Sequence, residues 1–220
     1  MIKKDSKSLS MSVFEELEEK ILNGKIKPGE NLTEIKLSSD IGVSRTPVRE
    51  ALRMLEQKNL VQITPNKGAI VLGINEKDLN DIYTIRMNIE GLGSRWTVEN
   101  ITDEQIKELK EIVELQEFYM MKNSLEQINQ LDAKFHEKMY EYSNSRTLQH
   151  MLSDLHHMIK RYRKISFNSK GRTEKAIQEH REILEAVINH DPDAAERLTI
   201  NHIINAKENL LKIIKTKVKN

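Results

Sequence analysis

Four polar side chains in the second half of the sequence lie on helix faces that are otherwise apolar. Asp132 and His136, four residues apart, interrupt a stripe of large apolar residues in one predicted helix. His180 and His202 lie on similar faces of two later predicted helices. A buried carboxylate or imidazole needs a partner, and these four residues could satisfy one another by binding one cation. The alternative is a set of hydrogen-bonded core residues, and the pattern alone leaves both open.

A second group of residues, in the first half, has the chemistry to read DNA. Ser44 begins a predicted helix with an apolar inward stripe, and Arg45, Thr46 and Arg49 fall on its other side. The guanidinium group of arginine can donate two hydrogen bonds to the O6 and N7 atoms of guanine. A helix with arginines near its exposed N-terminus suits insertion into a major groove. An ordinary helical hairpin with solvated arginines is the alternative.

Short elements joined by tight turns position these arginines. Three of the four prolines and five of the eight glycines precede residue 75, which is typical of compact turns. The predicted elements are helices at about 8–24, 33–40 and 44–58, and strands at about 60–63 and 68–72. Thr33 is a predicted cap, Gly42 lies in the inter-helix turn, and residues 65–68 join the strands. Residues 1–74 are therefore predicted to form a winged helix-turn-helix DNA-binding domain.

Long helical patterns with brief breaks fill residues 75–220, which are predicted to form one helical domain. They lie at about 76–98, 103–121, 124–142, 146–165, 173–190 and 192–216. Asn75 is a predicted N-cap, and Asp191-Pro192 is a start signal for the last helix. Six helices with short connections indicate an antiparallel bundle. The predicted fold class is therefore mainly α, with a winged helix-turn-helix followed by an all-α helical bundle.

The composition limits the possible functions. The chain of 220 residues has a formal net charge of +1, so any basic DNA-binding surface must be local. It contains no cysteine, which excludes disulfides, thiolate metal ligands and cysteine nucleophiles. The first residues do not resemble a signal peptide, and no apolar run reaches the length of a membrane span. We expect a cytoplasmic protein without a membrane partner.

Two runs in the first half resemble the DNA-binding domain of the GntR family of bacterial regulators. They are Ile21–Gly29 followed by Leu32, and Ile41–Leu52, which contains Ser-Arg-Thr-Pro-Val-Arg-Glu-Ala-Leu. The second run is typical of the branch that carries an FCD (FadR-like C-terminal) domain. Asn59 stands where the family usually has glycine, and asparagine tolerates the positive φ of such a turn. The residues that the resemblance implies for DNA contact are Ser44, Arg45, Thr46 and Arg49, with Gly68 as the wing glycine.

Three runs in the second half resemble the metal-ligand segments of the FCD domain: Asp132–His136, Glu179–Val187 and Asn201–Ile203. The metal ligands that this resemblance implies are Asp132, His136, His180 and His202. Arg86 and Glu90 match the Arg-x-x-x-Glu pattern of the first FCD helix, where the arginine borders the effector pocket. Six helices rather than seven point to the shorter, VanR-like subgroup. The remaining histidines are expected at the surface or at helix ends: His150, His156, His157 and His190.

The implied ligand set suits a divalent transition metal, because one carboxylate and three neutral imidazoles favour zinc first, with nickel, iron or manganese as alternatives. Calcium fits three imidazole ligands poorly. Four protein ligands leave one or two coordination positions. A carboxylate effector, such as an organic or sugar acid, could fill them, with Arg86 completing the charge match.

The sequence thus predicts a ligand-responsive transcription regulator that binds operator double-stranded DNA as a homodimer and is not an enzyme. A repressor is the favoured form, and an activator is the alternative. A metal-dependent hydrolase is one alternative, because zinc held by such ligands can activate water. That alternative leaves the winged helix-turn-helix without a role, and no further general base accompanies the ligand set. A direct metal sensor, in which the cation itself is the signal, is the other alternative.

Overall fold

Nine helices and three short strands make up the part of the chain that this computed structural model describes, residues 8–65, 67–167, 169 and 171–218. The chain divides into two compact units, Met1–Asp78 and Leu79–Asn220. The first unit contains all the described strands. The predicted mainly α fold class, with a winged helix-turn-helix followed by a helical bundle, is confirmed.

The first unit packs three helices with a small antiparallel sheet. Its elements are α1 (Leu9–Leu22), β1 (Asn31–Leu32), α2 (Glu34–Ile41), α3 (Arg45–Gln57), β2 (Val61–Thr64) and β3 (Gly68–Val71). The strand order is β1-β3-β2, and Ile63 pairs with Ala69 in the hairpin. β1 has no sequence signal, because two residues are too few to show the alternation that identifies a strand.

Local hydrogen bonds and backbone angles explain where these helices begin and end. The hydroxyl of Thr33 accepts the backbone N–H of Lys36 at 3.3 Å, and Gly42 ends α2 with a φ of 76°. Ser44 occupies the N-cap position of α3, but its side chain makes no capping hydrogen bond. The predicted cap is therefore confirmed in its position only, and Ser44 is exposed to solvent. Asn59 adopts the expected positive φ, 55°.

The wing depends on the glycine at the start of β3. Gly68 has a φ of +96°, and a Cβ at this position would lie 2.6 Å from the carbonyl oxygen of Leu32. Both the backbone angle and the close approach of β1 require a residue without a side chain. Asn66, which belongs to the predicted turn, lies outside the described residues.

Six helices form the second unit, as predicted. In chain order they are α4 (Glu76–Asn100), α5 (Asp103–Met121), α6 (Leu125–Tyr142), α7 (Arg146–Phe167), α8 (Arg172–Ile188) and α9 (Pro192–Val218). The expected caps are confirmed. The side chain of Asn75 accepts the backbone N–H of Asp78, and that of Asp191 accepts the N–H of Ala194. α8 ends two residues earlier than expected, before His190, which has a left-handed φ of 51°.

The helices of the second unit pack closely around an apolar core. α5 packs along α6 and α8, while α9 packs along α7 and α8. Two glycines let α4 approach its neighbours. A Cβ on Gly91 would lie 2.8 Å from the side chain of Ile200, and one on Gly93 would lie 3.2 Å from that of Leu148. None of the described helices is both long and apolar enough to cross a membrane.

Candidate functional site

The N-terminal part of α3 presents the predicted DNA-binding residues to solvent. Val48, Ala51 and Leu55 are fully buried on one face of this helix, as the helical period of apolar residues requires. The residues of the predicted set that lie on its other side, all of them exposed, are Ser44, Arg45, Thr46 and Arg49. The polar face of α3 is therefore available to a ligand.

A groove with a volume of about 530 Å³ lies between α3 and the wing, which is the β2–β3 hairpin. It is lined by Arg45, Arg49 and Gly68, together with Arg53 and Lys67. The structure thus brings two predicted arginines and the wing glycine to one basic surface, whereas the two hydroxyl residues of the set do not line it. A basic surface of this kind complements the phosphates of DNA.

Arg49 is held by Glu34 at the start of α2. Its Nε and Nη2 atoms each lie 2.7 Å from one carboxylate oxygen of Glu34. The hydrogen bond from Arg49 holds the pKa of Glu34 below its ordinary value. So exposed an ion pair contributes little to stability, but its two parallel bonds fix the plane of the guanidinium group. Because Glu34 lies on another helix, no spacing in the sequence identifies it as the partner.

The four predicted metal ligands come together in the core of the bundle. His136 on α6, His180 on α8 and His202 on α9 are buried, and each offers a ligand atom within 4.8 Å of the other two. The Oδ1 atom of Asp132 lies 3.9 Å from the Nε2 atom of His136 and 3.7 Å from that of His180. The three imidazoles are therefore close enough to share a single ion, and the carboxylate of Asp132 lies beside two of them.

Each of these imidazoles is anchored through its Nδ1 atom by an oxygen from another helix. The distances are 3.4 Å from His136 to Glu90, 3.0 Å from His180 to Gln116 and 2.7 Å from His202 to Glu179. An oxygen acceptor keeps the proton on Nδ1 and leaves the Nε2 lone pair for a metal. The Nε2 atoms of His136 and His180 are buried with no hydrogen-bond partner among the described residues. Such unpaired nitrogens fit a metal centre better than a hydrogen-bonded core cluster.

The electrostatics of the centre favour neutral imidazoles at His136 and His180. Burial lowers the pKa of His136 to about 4, and it also lowers that of His180 well below its ordinary value. Burial by itself would raise the pKa of Glu90, but the Arg86 guanidinium and the contacts with His156 and His136 together outweigh it and hold that pKa well below the usual range. A neutral imidazole whose proton is shared with a carboxylate is the form that binds a metal at neutral pH.

Comparisons with known proteins assign both halves of the chain. Residues 9–71 match the family described as bacterial regulatory proteins, gntR family, and residues 81–205 match the FCD domain. The chain belongs to the GntR family. It carries the FCD domain that the Ser44–Leu52 run indicates, so the predicted FadR/FCD subfamily is confirmed.

Relatives of this GntR protein are similar over nearly its whole length. It is 29% identical over 205 residues to the uncharacterized HTH-type transcriptional regulator YdhC of Bacillus subtilis (strain 168), covering 93% of this chain and 92% of the relative. It is 27% identical over 205 residues to the HTH-type transcriptional repressor RspR of Escherichia coli (strain K12), covering 93% and 90%. The solved structure of E. coli McbR/YncC superposes with a TM-score of 0.72 and 25% identity, over 94% of this chain and 99% of that one. This chain is therefore a DNA-binding transcription regulator.

A small cavity of about 20 Å³ adjoins the candidate metal ligands of this GntR regulator. Arg86, the predicted effector residue, lines it together with Asp132 and His202. Two arginines that the sequence does not single out, Arg163 and Arg172, line the same cavity. The basic run around Arg163 resembles a solvated helix face, and Arg172 lies where α8 begins. The Nη2 atom of Arg163 lies 2.8 Å from Oδ2 of Asp132.

The expectation that His156 lies at the surface is wrong. Its side chain is only 11% exposed, and its Nε2 atom lies 2.9 Å from Glu90 and 2.6 Å from the hydroxyl of Tyr140. Leu152 and Ile159, four residues before and three after it on α7, are fully buried. This helical spacing is the signal that places His156 on the inner face. The other three histidines are exposed as expected: His150, His157 and His190.

Gln116 allows a test of how the imidazoles are anchored. Gln116→Leu removes the oxygen that holds Nδ1 of His180 and keeps a similar side-chain volume. We expect the affinity for zinc to fall by about 10–100-fold. Gln116→Glu keeps an acceptor oxygen at the same position and should retain tight binding. Competition against a chromophoric zinc chelator measures both affinities.

Gln178→Leu is the matched control, because Gln178 is exposed on α8 and its amide bonds to Glu182. Its zinc affinity should equal that of the wild type. Equal losses in the Leu and Glu variants of Gln116 would contradict an anchoring role for the amide oxygen.

Proposed function

We propose that this chain is a ligand-responsive repressor whose C-terminal domain binds a metal ion and a small carboxylate effector. Residues 1–74 bind operator DNA, and residues 75–220 sense the effector and hold the homodimer together. The observation that carries the sensing proposal is a pair of buried Nε2 atoms, on His136 and His180, with no hydrogen-bond partner among the residues that the structure describes. They lie beside Asp132 and an arginine-lined cavity. Binding to operator DNA implies that the protein acts in the cytoplasm.

The DNA contacts that we propose come from α3 and the wing. Arg45 and Arg49 have the donor geometry to read base edges in a major groove. Ser44 and Thr46 are exposed beside them, and their hydroxyl groups suit phosphate oxygens, which fix the position of a protein on the duplex. Gly68 allows the wing backbone to approach the minor groove without a side chain between them.

The metal that we propose is a divalent transition ion, zinc first, with nickel, iron or manganese as alternatives. The residues that would hold it are Asp132, His136, His180 and His202. When bound, the ion supplies coordination positions for a carboxylate oxygen of the effector. Arg86 lines the adjoining cavity and provides a charge-assisted hydrogen-bond donor to the same ligand.

A metal-dependent hydrolase receives less support from this geometry. Glu90 and Glu179 each hold an imidazole nitrogen, and Asp132 is paired with Arg163. These nearby carboxylates are thus engaged rather than placed as a free general base.

A direct metal sensor is a separate alternative, in which the cation itself is the signal. A chelator would then abolish the response at the operator whether or not an organic acid is present.

We propose a homodimer on a pseudo-palindromic operator, because one recognition helix reads only a few base pairs and a two-fold pair doubles the site. Sedimentation velocity at micromolar protein, with and without operator duplex, measures the state directly. We expect twice the mass of the 25.6 kDa chain in both samples. A monomer in both would rule the dimer out.

Arg49→Ala should weaken operator binding by about 1–3 kcal/mol if the guanidinium group reads a guanine. Arg49→Lys is the matched variant, because it keeps the positive charge and loses the two-pronged donor. It should lose nearly as much affinity for the operator while binding a scrambled duplex like the wild type. Binding titrations on both duplexes at one fixed salt concentration decide the question. Equal losses of Arg49→Ala on operator and scrambled duplex would indicate a phosphate contact instead.

Replacing His180 and His202 together by alanine should remove the metal. We expect about one equivalent of a transition metal in wild type purified without chelator or affinity tag, and none in the double variant. A chelator should lower the melting temperature of the wild type and leave that of the variant unchanged, since only a bound ion stabilises the folded state by mass action. Operator binding by the free variant should persist.

The matched control replaces His150 and His157, which are both exposed on α7, and it should retain the metal. If the wild type carries no stoichiometric metal and gains no stability from added zinc, nickel or manganese, the four residues form only a hydrogen-bonded core cluster. The sensing proposal would then fail.

A further inference from the structure

Tyr83 is a buried donor that points to a second binding element in the arginine-lined cavity. It lies on α4 and is 1% exposed, and it lines the cavity with Arg86. The guanidinium carbon of Arg86 lies 4.8 Å from the centre of its ring. The hydroxyl of Tyr83 is buried and has no hydrogen-bond partner among the described residues. A buried hydroxyl without a hydrogen-bond acceptor costs free energy. We therefore expect an acceptor at this position.

The charged neighbours of Tyr83 do not offer a free acceptor. Arg86 and Arg163 influence its hydroxyl electrostatically, and an arginine side chain has donors only. The carboxylate among these neighbours, Glu90, already bonds to Arg86 and Tyr140. Burial raises the pKa of Tyr83, so the phenol keeps its proton at neutral pH. The Nη1 atom of Arg86 is likewise buried without a partner in the described part of the chain. Two unsatisfied donors, one helical turn apart, therefore border the same cavity.

The charge balance around the cavity indicates what the acceptor is. The three arginines that line it are each paired with one carboxylate: Arg86 with Glu90, Arg163 with Asp132 and Arg172 with Glu179. These pairs leave no net charge, and an imidazole that ligates a metal does so in its neutral form. A divalent metal would therefore add two positive charges that no residue of these pairs compensates. Buried charges are costly unless they are matched.

We propose that Tyr83 and Arg86 form a second anion-binding element, so that the effector is a dicarboxylate. This inference rests on the metal and carboxylate sensing proposed above. One carboxylate of the effector would bind the metal, and the other would accept hydrogen bonds from the hydroxyl of Tyr83 and Nη1 of Arg86. A cavity of about 20 Å³ holds about one water molecule, so the ligand must displace a lining side chain. Arg163, 16% exposed, is the least buried of the three arginines.

The experiment compares zinc-loaded wild type with Tyr83→Phe, which removes only the hydroxyl group. The probes are acids that differ in one terminal carboxylate: succinate and butyrate, malate and 3-hydroxybutyrate, glucarate and gluconate. Isothermal calorimetry measures each affinity. In at least one pair we expect the dicarboxylate to bind the wild type about tenfold or more tightly than its partner. Tyr83→Phe should remove most of that preference and leave the binding of the monocarboxylate nearly unchanged.

The melting temperature without ligand separates this role from a structural one. Since the hydroxyl of Tyr83 has no hydrogen-bond partner in the part of the chain that the structure describes, Tyr83→Phe should leave the melting temperature unchanged or raise it. Tyr142→Phe is the matched control, because the hydroxyl of Tyr142 donates to Glu108. That variant should melt at a lower temperature and keep the wild-type preference for dicarboxylates.

Three results would overturn the inference: a lower melting temperature for Tyr83→Phe, no preference of the wild type for any dicarboxylate, or an undiminished preference in Tyr83→Phe. Each of them leaves the proposed sensing function intact as long as some carboxylate binds the zinc-loaded protein. If none of the six acids binds the wild type, or if it holds no zinc, the proposed function fails together with the inference.

Discussion

The burial of charge inside the bundle is the constraint on which the second unit depends. The buried members of its ion pairs are Arg86, Glu90, Asp132, Arg172 and Glu179. Removing one partner of such a pair typically costs about 3–5 kcal/mol, because the other charge is left without compensation. An apolar core of the same volume is often at least as stable. Stability alone therefore does not account for these pairs, whereas the positions they give to the imidazoles and to the cavity do.

The first unit places its arginines in the opposite way, at the surface. Its arginines lie on the exposed face of α3, and the bidentate bond between Arg49 and Glu34 is open to solvent. Such a pair is screened by salt and can be exchanged for a phosphate or a base at little cost. Until DNA arrives, it holds the guanidinium group of Arg49 in one orientation on the exposed face of α3. Charge is thus used for orientation in both units, with most of the buried charge in the second.

Sequence patterns predict the elements well because periodicity and capping are local properties. Asp132 and His136 are recognisable because they interrupt an apolar stripe, and His156 could have been found from the same spacing. Arg163 escapes notice because its basic neighbours are typical of a solvated face. Glu34 and Gln116 escape for a different reason: each acts on a residue of another helix, and spacing within one helix carries no information about which helices are neighbours. What a sequence pattern leaves open here is the pairing between elements.

The fold is already arranged to bind the metal ion, whereas it must rearrange to bind the effector. The imidazoles are already oriented through Glu90, Gln116 and Glu179, so a metal would bind with little rearrangement. The cavity beside them has a volume of only about 20 Å³, so an organic acid can enter only if side chains move. That rearrangement lowers the affinity for the acid, but it also makes the bound and free states of the bundle different. A regulator needs such a difference, because a ligand that binds two states equally shifts neither.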